Sequence, residues 1–420
     1  MAICNRDNFW HVYFVSRGEY FMVREDEKKF DITWPVHKLS CEQKEIEREA
    51  LDFAKSKLDK GQKAIFVIEG QAGTGKSVLV TALFNEIQAA CKDKDSIFGG
   101  TKNYVLVNHP EMLKFYKRIA GESSILLKKN FERPTSFINK IQKSAEKADV
   151  VIVDEAHLLL TKKDAYNHFY QENQLQEILK NAKIVILIFD NKQVLKAKSY
   201  WSKQKLAAIL GEDNVKIRHL QKQFRIEANS DVQDWINGFC NKKICCLPEK
   251  QKFDFRIMND SKQMYELIKE HEVTAGLSRL LATYDFPYRL DGNDYFVKAG
   301  TLSLRWDRSK PQESLAWAER TDTIDEVGSV YTIQGFDLNY AGVILGPSLG
   351  YDEQLSKLVV RSELYEDQAA FNGLKHLNTN IKAVKERLIL NALNVLLTRA
   401  RKGLYIYAVD KNLQKKLLQG

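Results

Sequence analysis

Residues Gly70, Gln71, Ala72, Gly73, Thr74, Gly75, Lys76 and Ser77 spell Gly-x-x-x-x-Gly-Lys-Ser. Glycines let backbone N–H groups turn inward around phosphate oxygens. A helix starting at such a loop adds the positive end of its dipole. The lysine then reaches the β- and γ-phosphates, and the serine hydroxyl ligates Mg²⁺. That chemistry requires a strand before the loop and a helix after it. The sequence supplies both: an apolar run at 64–69 and a helical pattern over 77–90. Gly70 through Ser77, with Val78 behind them, are therefore candidate contacts to a nucleotide, and ATP with Mg²⁺ is the expected pair of cofactors.

A second set of residues complements the loop. Asp149-Val-Val-Ile-Val-Asp154-Glu155-Ala156-His157 carries an apolar strand to two adjacent carboxylates. At the C-terminal edge of a strand, where α/β ligand sites form, Asp154 would hold the metal. Glu155 would orient or deprotonate the attacking water. A further apolar run over 184–189 ends at Asp190, with Gln193 beyond it. A glutamine there can sense a γ-phosphate, and an Asx turn at a strand end is the alternative. Gln223-Phe224-Arg225 and Thr398-Arg399-Ala400-Arg401 add arginines. Arginines aimed at a γ-phosphate stabilise transition-state charge, whereas arginines on a helix are ordinarily surface groups. Val330-Tyr-Thr332-Ile-Gln334-Gly335 precedes another apolar run and reads as a loop.

The elements that must position these groups alternate. Helical spacing at Ile46, Ala50, Phe53 and Leu58 covers 39–60, and short apolar strands follow at 64–69, 104–108, 150–154 and 184–190. Fully apolar short strands separated by helices predict a parallel sheet covered on both faces. A second alternating block begins near 226, with strands at 341–345 and 404–408 and a helix over 388–400. Residues 1–38 differ: aromatic, alternating stretches flank Arg17-Gly18 and predict a β-hairpin appendage.

Bulk properties narrow the partners. The 420 residues include 64 basic and 55 acidic side chains, a net charge of +9 that suits a polyanion such as nucleic acid. Six cysteines occur without a Cys-x-x-Cys pair. Cys240, Cys245 and Cys246 are weighed as a zinc site, and reduced thiols in a cytoplasmic protein are the preferred reading. No charge-free leader opens the chain, and no apolar run approaches the ~20 residues of a membrane span.

In order, the phosphate loop, the Asp-Glu pair, Asp190/Gln193, Gln-Phe-Arg, Thr-x-Gln-Gly and Leu-Thr-Arg-Ala-Arg resemble the motif series of superfamily 1 helicases. The chain is most similar to the Schlafen group 3 helicase-like domain, long known as a bacterial domain of unknown function. That likeness rests on Gly276-Leu-Ser-Arg-Leu-Leu-Ala282-Thr-Tyr-Asp285, Val327-Gly328, Tyr331-Thr-Ile-Gln-Gly-Phe-Asp337 and Leu396-Leu-Thr-Arg-Ala-Arg-Lys-Gly403, and spans roughly 43–410. It implies an α/β fold of two tandem RecA-like P-loop NTPase domains, over 39–225 and 226–420, the second with a small insertion. It implies ATP hydrolysis coupled to single-stranded DNA or RNA. Gln43 would read the adenine edge and Phe224 would stack on the base. Gln193 would sense the γ-phosphate, and Arg225 and Arg399 would be arginine fingers. Asn108-His109-Pro110 would touch a strand's backbone, and Gln334 and Gly335 would couple nucleotide to nucleic acid. Phe189 departs from the family's usual glycine, and little room remains for the accessory domains of duplex-unwinding enzymes. The alternative is a nucleotide-gated switch that captures a partner protein through residues 1–38, with bacterial defence suggested by the resemblance alone.

Overall fold

The computed structural model describes residues 10–15, 19–24, 39–70, 73–144, 146–165, 168–190, 214–221, 230–248, 253–289, 291–306, 313, 315–372, 374 and 380–419. Gln71, Ala72, Gln193, Phe224 and Arg225 lie outside the described residues, as does Gln223.

Near the N-terminus β1 (Trp10–Val15) and β2 (Glu19–Arg24) pair antiparallel, as the alternation predicts. Helix α1 (Cys41–Asp59) begins with a reciprocal cap: Ser40 Oγ accepts the Gln43 N–H, and Gln43 Oε1 accepts the Ser40 N–H. Its buried stripe is Ile46, Ala50 and Ala54. Burying an isoleucine side chain is worth about 1.5–3 kcal/mol, and this stripe holds α1 against the strand that feeds the phosphate loop.

That strand, β3 (Ala64–Gly70), runs into α2 (Lys76–Ala90). The remaining strands of the first sheet are β4 (Asn103–Val107), β5 (Phe131–Glu132), β6 (Ala148–Asp154), β7 (Ala182–Phe189) and β8 (Val215–Leu220). Their order is β5-β4-β6-β7-β3-β8, and every pairing is parallel. Alternate residues of the central strands enter two separate cores. Phe66, Ile152 and Ile186 face one, and Val67, Val153 and Leu187 face the other. This two-sided burial explains why β3, β6 and β7 read as continuous apolar runs.

The second sheet holds β9 (Asp254–Ile257), β10 (Ser278–Ala282), β11 (Phe296–Ala299), β12 (Leu302–Trp306), β13 (Glu326–Gly328), β14 (Leu338–Leu345) and β17 (Ala400–Ala408). A separate hairpin pairs β15 (Leu349–Asp352) with β16 (Lys357–Val360). The order is β11-β12-β13-β10-β14-β17-β9. It is parallel except at the edge, where β11 and β12 form an antiparallel pair. The helix expected over 388–400 spans Ile381–Leu397 instead. Asn380 caps its start, and beyond Thr398 the chain turns extended because Ala400 pairs with Leu338. The Thr-x-Gln-Gly segment, expected as a loop, forms a one-turn helix at Val330–Ile333 capped by Ser329.

The two sheets meet through side chains of α3 (Pro110–Glu122), which follows β4. Arg118 donates bidentately to Glu319, at 2.8 and 3.2 Å. The rings of Phe115 and Phe336 meet edge-on at 6.2 Å. At Gly335, φ is +87°, and an added Cβ would lie 2.5 Å from Met112 Cγ and Sδ. Only glycine fits that contact.

Candidate active site

Gly73 (φ +84°) and Gly75 (φ +74°) both adopt the left-handed backbone that a side chain resists. The turn aims the N-terminus of α2 at the space above β3. Lys76 is buried, and its ammonium donates to the Gly70 carbonyl at 2.9 Å and lies 3.4 Å from Asp190 Oδ2. Asp190 therefore acts on the phosphate-loop lysine, a contact the sequence did not reveal. Thr74 is buried, and Ser77 and Val78 are half-buried on the first turn of α2. Gln43 supports the loop from below: its Nε2 donates to the carbonyls of Thr74 (3.1 Å) and Gly75 (3.4 Å). With its oxygen used in the α1 cap and only 4% of its surface exposed, Gln43 braces the loop in this structure.

Asp154 ends β6 fully buried. Its Oδ2 accepts the Tyr116 hydroxyl at 2.5 Å, and its Oδ1 accepts the Glu155 N–H at 2.9 Å. The Ser77 side chain also acts on the Tyr116 hydroxyl, which brings the loop serine into the same neighbourhood. Burial, then the Glu155 charge, pushes the Asp154 carboxyl above the usual carboxylate range. A buried carboxylate in that position, beside the loop serine, fits a divalent cation.

Glu155 has φ +51°, ψ +44°, a conformation costing a non-glycine residue about 1–3 kcal/mol. Its carboxylate lies beside His157, whose Nε2 is 2.9 Å from Glu155 Oε2. Burial works to raise Glu155, but the His157 contact, Lys76 and Arg399 together hold it low.

Groups from the second sheet close the site. Gln334 is buried, with Nε2 3.3 Å from His157 Nε2. Arg399, 1% exposed, donates from Nε to the Val395 carbonyl and from Nη1 to that of Phe336. Its charge acts on both Glu155 and His109. His109 is buried, caps α3 through Met112 N–H, and places Nε2 3.2 Å from the Tyr331 carbonyl. Burial foremost lowers its pKa to about 4. The histidine of Asn108-His109-Pro110 thus sits in the seam between sheets, not on a strand-facing surface. Asn108 is half-buried, bonded to the Leu158 carbonyl and to Arg133. Gly335, expected with Gln334 to couple nucleotide to nucleic acid, lies against Met112. Among the described residues no three His, Cys, Asp or Glu side chains gather as a metal site, and no helix is long and apolar enough to cross a membrane.

The site thus combines a glycine-rich phosphate loop, paired carboxylates at a neighbouring strand end and polar groups from a second sheet. Residues 63–410 match the family described as Schlafen group 3, DNA/RNA helicase domain. The chain belongs to this family. A Saccharomyces cerevisiae relative, the uncharacterized protein YPL245W, is 47% identical over 412 residues, covering 91% of this chain and 90% of that protein. Among solved structures, the Pif1 helicase of Candida albicans is similar over 91% of this chain and 98% of its own, at 12% identity and a TM-score of 0.36. The helicase MrfA, bound to DNA and AMPPNP, is similar over 89% of this chain and 49% of its own, at 9% identity and a TM-score of 0.37.

Proposed function

We propose that the chain hydrolyses ATP in the cleft between its two sheets and couples hydrolysis to movement on single-stranded DNA or RNA. The two halves, 39–225 and 226–420, would act as the moving lobes. The observation that carries this reading is the convergence at Glu155. Lys76 and Asp154 act on it from the first sheet's side and Arg399 from the second, while Gln334 of the second sheet reaches its neighbour His157. A site assembled from both lobes ties the state of the nucleotide to their relative position.

The backbone N–H groups of 70–76 and the Lys76 ammonium would hold the phosphates. Ser77 and Asp154 would hold Mg²⁺, which supplies charge neutralisation to the leaving phosphates when bound. Glu155 would accept a proton from the attacking water. Arg399 would stabilise charge developing on the transferred group, with Arg225 as its partner and Gln193 as the sensor. The family description supports a nucleic-acid partner, and the net charge of +9 is compatible with one. The family's yeast relative takes away the reason for confining the role to bacterial defence.

The deciding experiment is ATP turnover with and without a panel of single-stranded and duplex DNA and RNA at fixed salt. Stimulation by single strands is expected. Turnover indifferent to every strand would defeat coupling and favour the nucleotide-gated switch. Lys76→Ala should abolish turnover, while Glu155→Gln should abolish turnover yet still bind ATP. Hydrolysis surviving in both variants would defeat the site.

A further inference from the structure

The helices Ser230–Cys240 and Ile381–Leu397 pack side by side in the second half of the chain. A helix ordinarily turns an apolar stripe toward such a neighbour. Here the seam opens instead into a polar cleft of about 220 Å³. Six residues of the longer helix line it at spacings of three and four, which is one face of that helix. Four carboxamides face the space: Asn237 and Asn241 from one side, Asn391 and Asn394 from the other. Glu386 and Arg387 line its outer part.

Two of these groups lack a partner. Asn394 is only 6% exposed, yet among the described residues its carboxamide makes no hydrogen bond. Burying an unpaired amide costs about 1–3 kcal/mol. A polar residue kept only to fix how two helices pair would be bonded across the seam, and Asn394 is not. Arg387 is exposed and pairs with no carboxylate among the described residues, while the adjacent Glu386 is held by Lys242 at 2.8 Å. Asn394 stands two turns beyond Arg387 on the same face, a rise of about 10.5 Å.

A free guanidinium at one end and carboxamides at the other suit a ligand with an anion and a flat edge that both donates and accepts. A carboxamide pairs with adenine through N6 and N7, and a guanidinium pairs with phosphate. Two helical turns match the separation of base edge and 5′-phosphate in one nucleotide. The cleft is smaller than the ~300–1,000 Å³ of drug-sized sites, which favours a single nucleotide over a strand or a peptide. We propose that this cleft binds an adenine nucleoside monophosphate, with Asn394 on the base edge and Arg387 on the phosphate. Glu386, its charge offset by Lys242, is placed to accept a ribose hydroxyl. The site takes no residue from the phosphate loop, and its ligand lacks the β- and γ-phosphates that such a loop holds.

The test is calorimetric titration of AMP, without Mg²⁺, into the full chain as wild type, Lys76→Ala, Asn394→Ala and Arg387→Gln. One AMP should bind per chain, equally well in Lys76→Ala. Asn394→Ala and Arg387→Gln should each weaken binding roughly ten-fold, the worth of one lost partner. UMP, without the N6 and N7 pattern, should bind more weakly than AMP. No binding of AMP, loss of binding in Lys76→Ala, or undiminished binding in Asn394→Ala and Arg387→Gln would overturn the proposal. Inorganic phosphate displacing AMP at equal affinity would overturn it too, since the base would then contribute nothing. So would a 5′-phosphorylated trinucleotide that binds more tightly than AMP and answers to the same two substitutions. Without ligand, Asn394→Ala should melt no lower than the wild type, because it removes no hydrogen bond. Should it fold poorly, Arg387→Gln at its exposed position decides the matter. The outcome is independent of whether the chain hydrolyses ATP.

Discussion

Removing one oxygen atom, by Tyr116→Phe, tests the carboxylate site in isolation. Tyr116 and Asp154 are both fully buried, and the hydroxyl is 2.5 Å from Asp154 Oδ2. The ring itself stays, stacked on Phe131 at 5.6 Å and 15°, so the variant opens no cavity beyond the lost hydroxyl. Water cannot replace the donor in a fully buried position, so the carboxylate loses a charge-assisted bond worth about 1.5–3 kcal/mol. The penalty depends on pH, and its sign is fixed by Asp154. Burial raises this carboxyl, and the Tyr116 hydroxyl is one of the groups pulling it back down. A carboxyl whose folded pKa is raised loses stability as pH climbs past its unfolded value toward the folded one. Tyr116→Phe raises the folded pKa further and deepens that loss on the alkaline side. Urea unfolding should therefore show the variant about 2 kcal/mol less stable at pH 8, with a smaller deficit at pH 5, where the folded variant more readily holds the proton. An equal deficit at both pH values, or a larger one at pH 5, would refute the argument that Tyr116 stabilises a charged Asp154.

Other outcomes follow from single contacts. Gly335→Ala should cost at least about 1–2 kcal/mol from its left-handed backbone alone, with the Met112 clash added; Met112→Ala should recover the clash and leave the backbone part, as read by denaturant midpoints. Asp285 is buried and accepts bonds from Thr283 Oγ1 and from Ser348 N and Oγ, with burial first in pushing its pKa up to about 6. Because that value lies above the unfolded one, wild-type stability should fall between pH 4 and pH 6 by roughly 2 kcal/mol, and Asp285→Asn should remove that part of the slope; an unchanged slope would exclude Asp285 as its source. Arg399→Lys keeps charge but loses the planar fork, and ATP turnover should fall by about a hundred-fold or more, with ATP affinity retained; a drop in affinity without a drop in kcat would contradict a role on the transferred phosphate.

What the sequence made legible is local. The strand-loop-helix context of Gly70–Ser77 and the apolar run ending at Asp154 each lie within a few residues, and both stand where the pattern put them. Continuous apolar strands likewise announced two-sided burial. The edge pair of Phe296–Ala299 with Leu302–Trp306 was missed because two short strands around Gly300-Thr301 carry little periodicity. The end of the Ile381–Leu397 helix was misplaced because helical spacing cannot reveal that Ala400 pairs with a strand 62 residues earlier, at Leu338.

The site's finer chemistry was hidden for the same reason. Tyr116 reaches Asp154 across 38 positions, Gln334 reaches His157 across 177, and His109 reaches Tyr331 across 222. None of these leaves a mark on its own neighbourhood: Tyr116 reads as one more apolar helix position, and His157 as the tail of a carboxylate motif. Gln43 shows the converse, since its capping spacing with Ser40 is visible locally while its use of the phosphate-loop carbonyls is not. Local sequence places the groups that can touch a nucleotide. Some of their partners, Gln334 and Arg399 among them, come from the second sheet, far along the chain. Side chains that link the two sheets must bridge elements far apart in sequence, and Gln334 and His157 do so at 3.3 Å.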